Sequence, residues 1–305
     1  MKNLSIKNKK HVCGYVAVVG LPNAGKSTLM NHYLKRKVSI VTPKPQTTRE
    51  NVTCILSADD YQIIFIDTPG ILRPRYRMQE VMTSFISKAV DDSDIILAMI
   101  DAAEIKNSLH PDITEFARRL KHGNVIVVIN KIDKIKKQKI LELIQLITEM
   151  FPDAEIIPIS ALDGDGTEEL LSVIISKLPE GPSLYPEDII SFEPERFFVS
   201  ELIRETVFLS TNREIPYSSA VMIDNFEEKT SLVVIHATIL VEKKSQKPII
   251  IGKDGSMIKK IGIMAREAIE EFLERNVYLD LHVKVRNDWR NKDVHLRELG
   301  LIKGK

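Results

Sequence analysis

The sequence predicts two folds in one chain: a doubly wound, mostly parallel α/β domain, then a small α+β domain. Three observations carry this. Apolar runs alternate with amphipathic stretches through the first half of the chain. A segment rich in proline and acid, "PEGPSLYPEDIISFEPE" at 179–195, then breaks the pattern. Beyond it the order becomes one helix, two strands, two helices and a strand.

In the first half the strand candidates are "YVAVV" (15–19), "YQIIFI" (61–66), "DIILAMI" (94–100), "NVIVVI" (124–129) and "AEIIPI" (154–159). Continuous apolar runs of this length suit strands covered on both faces of a parallel sheet. Helical patterns lie between them at 26–36, 111–122 and 137–151, and a last one at 166–179 ends at Pro179. Alternation of this kind argues for double winding. The proline-rich stretch reads as an inter-domain linker. After it come an amphipathic helix at 196–211, two antiparallel strands at 217–228 and 230–244, and a strand at 277–287. The expected boundaries are 12–180 for the first domain, 181–195 for the linker and 196–305 for the second domain.

Composition is bland, which is itself informative. The chain has 305 residues, 43 basic against 42 acidic, so bulk charge points to no partner and any nucleic-acid contact must come from local patches. Cys13 and Cys54 offer one disulfide at most, and reduced thiols are the expectation. Lys2, Lys7, Lys9 and Lys10 make a basic start that reads as a solvated tail, with no apolar core behind it for a signal peptide. No run approaches the roughly 20 apolar residues that span a bilayer. A soluble, intracellular chain is expected.

Four motifs then fall in order. "GLPNAGKST" (20–28) follows a strand and opens a helix, the context a phosphate loop requires. Gly20 and Gly25 let the backbone wrap phosphates, with the amides of Asn23, Ala24, Gly25, Lys26, Ser27 and Thr28 turned inward. Lys26 reaches the β/γ-phosphate oxygens and the Ser27 hydroxyl suits Mg²⁺. "IDTPG" (66–70) ends the next strand, where Asp67 can hold Mg²⁺ through water and the Gly70 amide can meet a γ-phosphate. "NKID" (130–133) closes another strand. Asp133 can accept from the guanine N1–H and exocyclic amine together, which adenine cannot supply. Asn130 can bond the base edge and the loop, and the Lys131 stem can lie over the ring. "SAL", which is Ser160, Ala161 and Leu162, can add a backbone donor to the guanine oxygen. Each motif alone is a turn; together they specify a guanine nucleotide, GTP or GDP.

On these motifs the first 180 residues resemble a translation-factor-class GTPase domain. "PQTTRENV" (45–52) and Asn23 place it near the Era, TrmE and Der-like branch. The resemblance implies that Thr48 closes on Mg²⁺ in the GTP state, with Thr47 as the neighbouring alternative. It also implies catalytic roles for Lys26, Thr48 and Gly70, and Asn23 as either a K⁺ ligand or a plain turn residue. Ile71 stands where many GTPases carry the glutamine that orients water, which predicts slow intrinsic hydrolysis.

A second glycine loop remains, in "KPIIIGKDGSMIKKIG" (247–262). At first sight it is a short buried strand, Gly-Lys-Asp-Gly, and a basic helix. A second nucleotide site would need a Gly-Lys-Ser/Thr ending, which is missing. The alternative is an RNA-binding loop in which Gly252 and Gly255 bring backbone close to a single strand, with Lys253, Lys259 and Lys260 near phosphates and Asp254 opposing them. Ile250, Ile258, Ile261 and Ile263 would floor a groove for bases. Trp289 either stacks on RNA or packs against the terminal helix. The element order resembles a type II KH domain. The whole chain is thus similar to the Era family: a P-loop GTPase domain plus a type II KH domain.

That resemblance implies binding to the 16S rRNA 3′ region, a role in maturation of the 30S subunit, a monomer, and a cytoplasmic location with peripheral association with the inner membrane. Residues 40–50 and 71–94 are then the nucleotide-sensing switches. A passive RNA-binding scaffold with structural GDP is the competing expectation.

Overall fold

The computed structural model describes residues 11–105, 110–119 and 124–302. The basic residues Lys2, Lys7, Lys9 and Lys10 lie outside them. Contacts divide the chain into two units: residues 1–36, 51–71 and 86–192, and residues 37–50, 72–85 and 193–305.

The first unit is built on a six-stranded sheet. Its strands are β1 (Val12–Gly20), β2 (Val52–Ala58), β3 (Tyr61–Asp67), β4 (Ile95–Asp101), β5 (Asn124–Asn130) and β6 (Glu155–Pro158), in the order β2-β3-β1-β4-β5-β6. All pairs are parallel except β2 with β3. Helices α1 (Lys26–Leu34), α3 (Pro111–Arg119), α4 (Lys137–Met150) and α5 (Thr167–Lys177) belong to it, while α2 (Arg77–Asp91) is divided, its residues as far as Phe85 falling in the second unit. Every residue of β4 is buried, which is why that segment is apolar without alternation. β2 is not among the expected strands; its mixed "VTCILSA" carries no strong period and it joins antiparallel at the sheet's edge.

The expected linker is not free chain. Ile55 N donates to Ile190 O at 2.8 Å and Ser191 Oγ to Thr53 O at 2.6 Å. Gln62, fully buried, accepts from the amides of Leu184 and Tyr185 and donates to Tyr185 O. Residues as far as Phe192 therefore belong to the first unit, where they cover the open edge that β2 would otherwise present.

The second unit has the strands β7 (Ser219–Glu228), β8 (Val233–Val241) and β9 (Val277–Val285), in that order. β7 and β8 are antiparallel, β8 and β9 parallel. Helix α6 (Glu195–Ser210), the short α7 (Ile215–Ser218) and α8 (Lys247–Ile251), and helices α9 (Ser256–Leu273) and α10 (Asp293–Glu298) complete it. The "KPIII" stretch is helix, not the short strand first read there; Pro248 sits in its first turn, where a missing amide costs nothing. Five residues are too few for a period to separate the two states.

Val199, Ile203, Ile235, Ile239, Ile250 and Ile261 form the main core of this unit. A second cluster joins Met78 and Met82 of α2 to Leu240, Trp289 and Leu296. Trp289 is fully buried and its Nε1 donates to Ser218 O at 2.9 Å, so it packs rather than presenting a stacking surface. Among the described residues no helix is long and apolar enough to cross a membrane.

Candidate functional site

The first site is assembled where four strands of the first unit end. β1 runs into Gly20, where an added Cβ would lie 2.4 Å from the Met99 carbonyl oxygen. Gly25 has φ +97° and precedes α1; a Cβ there would sit 2.0 Å from Asn130 Nδ2. Only glycine satisfies both the torsion and the close approach. Asn23 also adopts a left-handed conformation, at φ +64°. The loop thus leads its amides toward the start of α1, a geometry that favours an anion.

Ala24, Lys26 and Ser27 are buried and Thr28 partly so. The Lys26 ammonium donates to the carbonyls of Gly20 at 3.2 Å and Leu21 at 3.0 Å. Burial pushes its pKa down to about 8, with Asp67 acting in the opposite direction. Ser27 Oγ donates to Asp67 Oδ2 at 2.8 Å. These two buried oxygen donors, a hydroxyl and a carboxylate, are the set a hard divalent cation such as Mg²⁺ takes. Thr68 Oγ1 anchors the next loop to Val18 O at 2.8 Å. Gly70 lies against the phosphate loop, where a Cβ would meet Pro22 N at 2.6 Å. Ile71 N donates to Gly20 O at 2.9 Å, and the Ile71 side chain packs onto the apolar cluster of the first unit.

The loops at 130–133 and 160–162 are tied to the phosphate loop through Asn130, which is 2% exposed. Its Nδ2 donates to Ala24 O at 2.8 Å and its Oδ1 accepts from Ala161 N at 2.9 Å. The amide is thus engaged in joining three loops. Buried Ser160 donates to Asp133 Oδ1 at 2.9 Å, orienting an exposed carboxylate. Leu162 is 73% exposed, so its side chain contributes nothing to a pocket here. Lys131 stands at φ +66° and its ammonium lies 2.5 Å from Asp101 Oδ2.

Thr48 falls in the second unit, whereas Ser27 and Asp67 fall in the first. Its segment, 37–50, is held by a set of long-range contacts that the sequence does not reveal. Lys37 pairs with buried Glu205 at 2.5 Å, and Glu205 also accepts from Val41 N at 3.2 Å. Lys44 donates to the carbonyls of Phe208 and Thr211, and Arg204 to that of Thr47. Arg49 is buried, donating to Ser219 O at 2.7 Å and Pro216 O at 3.2 Å, with its guanidinium 6.0 Å from the Phe208 ring and 5.8 Å from that of Trp289. Burial, then nearby Arg204, lowers its pKa to about 9. Contacts across some 160 residues leave no local pattern to read.

The second glycine loop joins α8 to α9. Gly252 has φ +75° and ψ 174°, a region closed to other residues, and a Cβ there would meet Met257 N at 2.6 Å. Gly255 is at φ +76° with open space around it. Lys253, Asp254, Lys259 and Lys260 are exposed, Asp254 at φ +51°. Beside the loop runs an open groove of about 340 Å³, lined by Ile258, Lys259, Gly262, Ile263, Arg266 and the β9 residues Leu279 and Leu281. Contrary to expectation, Ile250 and Ile261 do not floor it: both are fully buried in the core, because they occupy the inward faces of α8 and α9. Arg266, two turns beyond Lys259, escapes the sequence reading; its spacing from Lys259 and Ile263 on α9 is the available signal.

Comparison with known proteins agrees with both halves. Residues 15–131 match a family described as 50S ribosome-binding GTPase, and residues 214–290 match the KH domain family. A GTPase Era from Syntrophus aciditrophicus is 43% identical over 94% of each chain, and one from Nitratidesulfovibrio vulgaris (strain DP4) 44% over 95% of this chain and 97% of the relative. Among solved structures, a single-substitution variant of Aquifex aeolicus Era bound to GDP·AlF4⁻ superposes with a TM-score of 0.92 at 42% identity, covering 96% of this chain and all of that one. A structure of Era with MgGDPNP and nucleotides 1506–1542 of 16S ribosomal RNA gives the same TM-score, identity and coverage.

Proposed function

The chain belongs to the Era family of GTPases, and from that premise we propose that it binds the 3′ region of 16S rRNA under the control of its nucleotide, in the service of 30S subunit maturation. The observation that carries this reading is the placement of residues 37–50. This segment holds Thr48, the residue expected to meet Mg²⁺ in the GTP state, yet its anchors include Glu205, Phe208, Thr211, Ser219 and Trp289 of the second unit. A segment with obligations to both the γ-phosphate and the RNA-binding unit is a two-state element of the kind nucleotide switches use.

GTP is held by the phosphate-loop amides and Lys26, and its base by Asp133, Lys131 and the Ala161 region. Ser27, Asp67 and Thr48 are the residues that would hold Mg²⁺, whose charge would offset that of the phosphates. The Gly70 amide reaches the γ-phosphate, and Asn23 offers an oxygen for K⁺; K⁺ replaced by Na⁺ then slows turnover. The Ile71 side chain has no polar atom and packs against the apolar cluster, so water is left without a glutamine to orient it and intrinsic hydrolysis is slow. RNA lies along Gly252–Gly255, with Lys253, Lys259, Lys260 and Arg266 toward phosphates and Ile258, Ile263 and Leu281 beneath the bases.

Fluorescence anisotropy of a short RNA copied from the 16S 3′ end tests the proposal, with GDP and with a non-hydrolysable GTP analogue at fixed salt. Tighter binding with the analogue is expected. Equal binding in both states would favour the passive scaffold, and no binding would remove the RNA assignment.

A further inference from the structure

Asp101 closes β4 and is the register partner of Asn130, so it lies across the sheet from the start of the base-recognition loop. It is 8% exposed. One carboxylate oxygen accepts from the amide of Ala103 at 2.9 Å, which fixes the side chain's orientation. The other lies 2.5 Å from the ammonium of Lys131. Lys131 itself holds φ +66°, a conformation that side chains other than glycine and asparagine seldom adopt, and it is the N-cap of the short helical turn that carries Asp133. A backbone in that unusual state, ending in a partly buried ion pair, holds the lysine stem in one place before any base arrives.

We propose that Asp101 is a positioning residue for guanine-nucleotide binding: it anchors the Lys131 ammonium so that the lysine's alkyl stem is held ready to cover the purine face. The inference rests on the base-site reading above and extends it to a residue outside the four motifs. A long flexible side chain that must order itself on binding weakens affinity, and an anchor at its far end removes that cost in advance. The stem lies against the ring face, whereas Asp133 addresses the ring edge. Loss of the anchor therefore affects purines regardless of their exocyclic groups.

The experiment measures affinities of the full-length protein for GDP and IDP in Asp101→Asn, Lys131→Met and the double variant. Asparagine keeps the shape and the acceptor for Ala103 while removing the charge; methionine keeps an apolar stem without the ammonium. Asp101→Asn is expected to weaken GDP and IDP alike, by about tenfold through faster release. Lys131→Met should lose a similar factor, and the double variant no more than either single one. Wild-type affinity in Asp101→Asn overturns the proposal. So does a further loss when it is added to Lys131→Met, or a change in the GDP/IDP ratio, since either shows a route other than the stem. If Asp101→Asn fails to fold, Lys131→Met carries the test: unchanged GDP affinity there is equally fatal. Asp133→Asn serves as the separate check on the base site, and is expected to exchange guanine for xanthine nucleotides. Retained guanine preference in that variant would overturn the base-site reading itself, whatever Asp101 does.

Discussion

The two glycine loops of this chain look alike in sequence and differ in construction. In the phosphate loop Ala24, Lys26 and Ser27 are buried, and Asn130 bolts the loop to two others through both ends of its amide. In the second loop Lys253 and Asp254 are exposed, Gly255 has open space around it, and the neighbouring groove is open along its length. The first is a preorganised cradle that can enclose a compact ligand of fixed shape. The second is a ledge, suited to a polymer whose backbone runs past and continues at both ends. Enclosure gives affinity through directed donors; a ledge relies on charge and stacking, and salt screens the charge.

The sharpest way to break the comparison is to remove charge from each loop in turn. Lys26→Ala should lower GTP affinity by about a hundredfold, because a buried charge-assisted contact to phosphate disappears. RNA binding in the absence of nucleotide should survive. At the ledge, Lys259→Ala with Lys260→Ala should weaken RNA by about tenfold and flatten the dependence of log affinity on log salt by about 1.4, two single-strand phosphate contacts' worth. GTP affinity should be untouched. An unchanged salt slope would show that these lysines do not face the RNA backbone.

Within the ledge, the two glycines differ in kind. Gly252→Ala forces a Cβ to 2.6 Å from a backbone nitrogen, and should destabilise the second unit by about 2–3 kcal/mol. Gly255→Ala meets nothing and bears only the left-handed torsion, about 1 kcal/mol. Urea unfolding followed on the second unit separates them; equal losses would mean the loop is not held as described. The smallest effect belongs to Asp254→Asn. Removing the loop's one negative charge should raise RNA affinity by about two- to threefold at low salt, fading as salt rises.

What could be read in advance follows the same division. Gly20–Thr28, Asp67, Gly70, Asn130 and Asp133 are legible because each motif is contiguous and each follows an apolar run that ends as a strand. The order of elements in the second half is legible for the same reason. β2 is not, since an edge strand with mixed burial shows neither a continuous apolar run nor strict alternation. The 181–195 segment reads as a linker because proline and acid say nothing about which edge a chain will cover. Asp101 and Arg49 are invisible for a deeper reason: their partners lie 30 and about 170 positions away, and nothing in either local sequence announces the meeting. Motifs declare the groups proposed to touch ligand. The residues that hold those groups in place are declared only by the fold.

The proposed coupling would run through the buried guanidinium of Arg49, which bonds the carbonyls of Ser219 and Pro216 and lies near the Phe208 and Trp289 rings. The decisive measurement is the ratio of RNA affinities with GTP analogue and with GDP, compared between the wild-type protein and Arg49→Ala. The ratio is expected to collapse toward one in Arg49→Ala while affinity for GDP stays within about twofold of wild type. A ratio unchanged by the substitution would contradict it, and would mean that the 37–50 segment does not carry the nucleotide's signal to the RNA-binding unit.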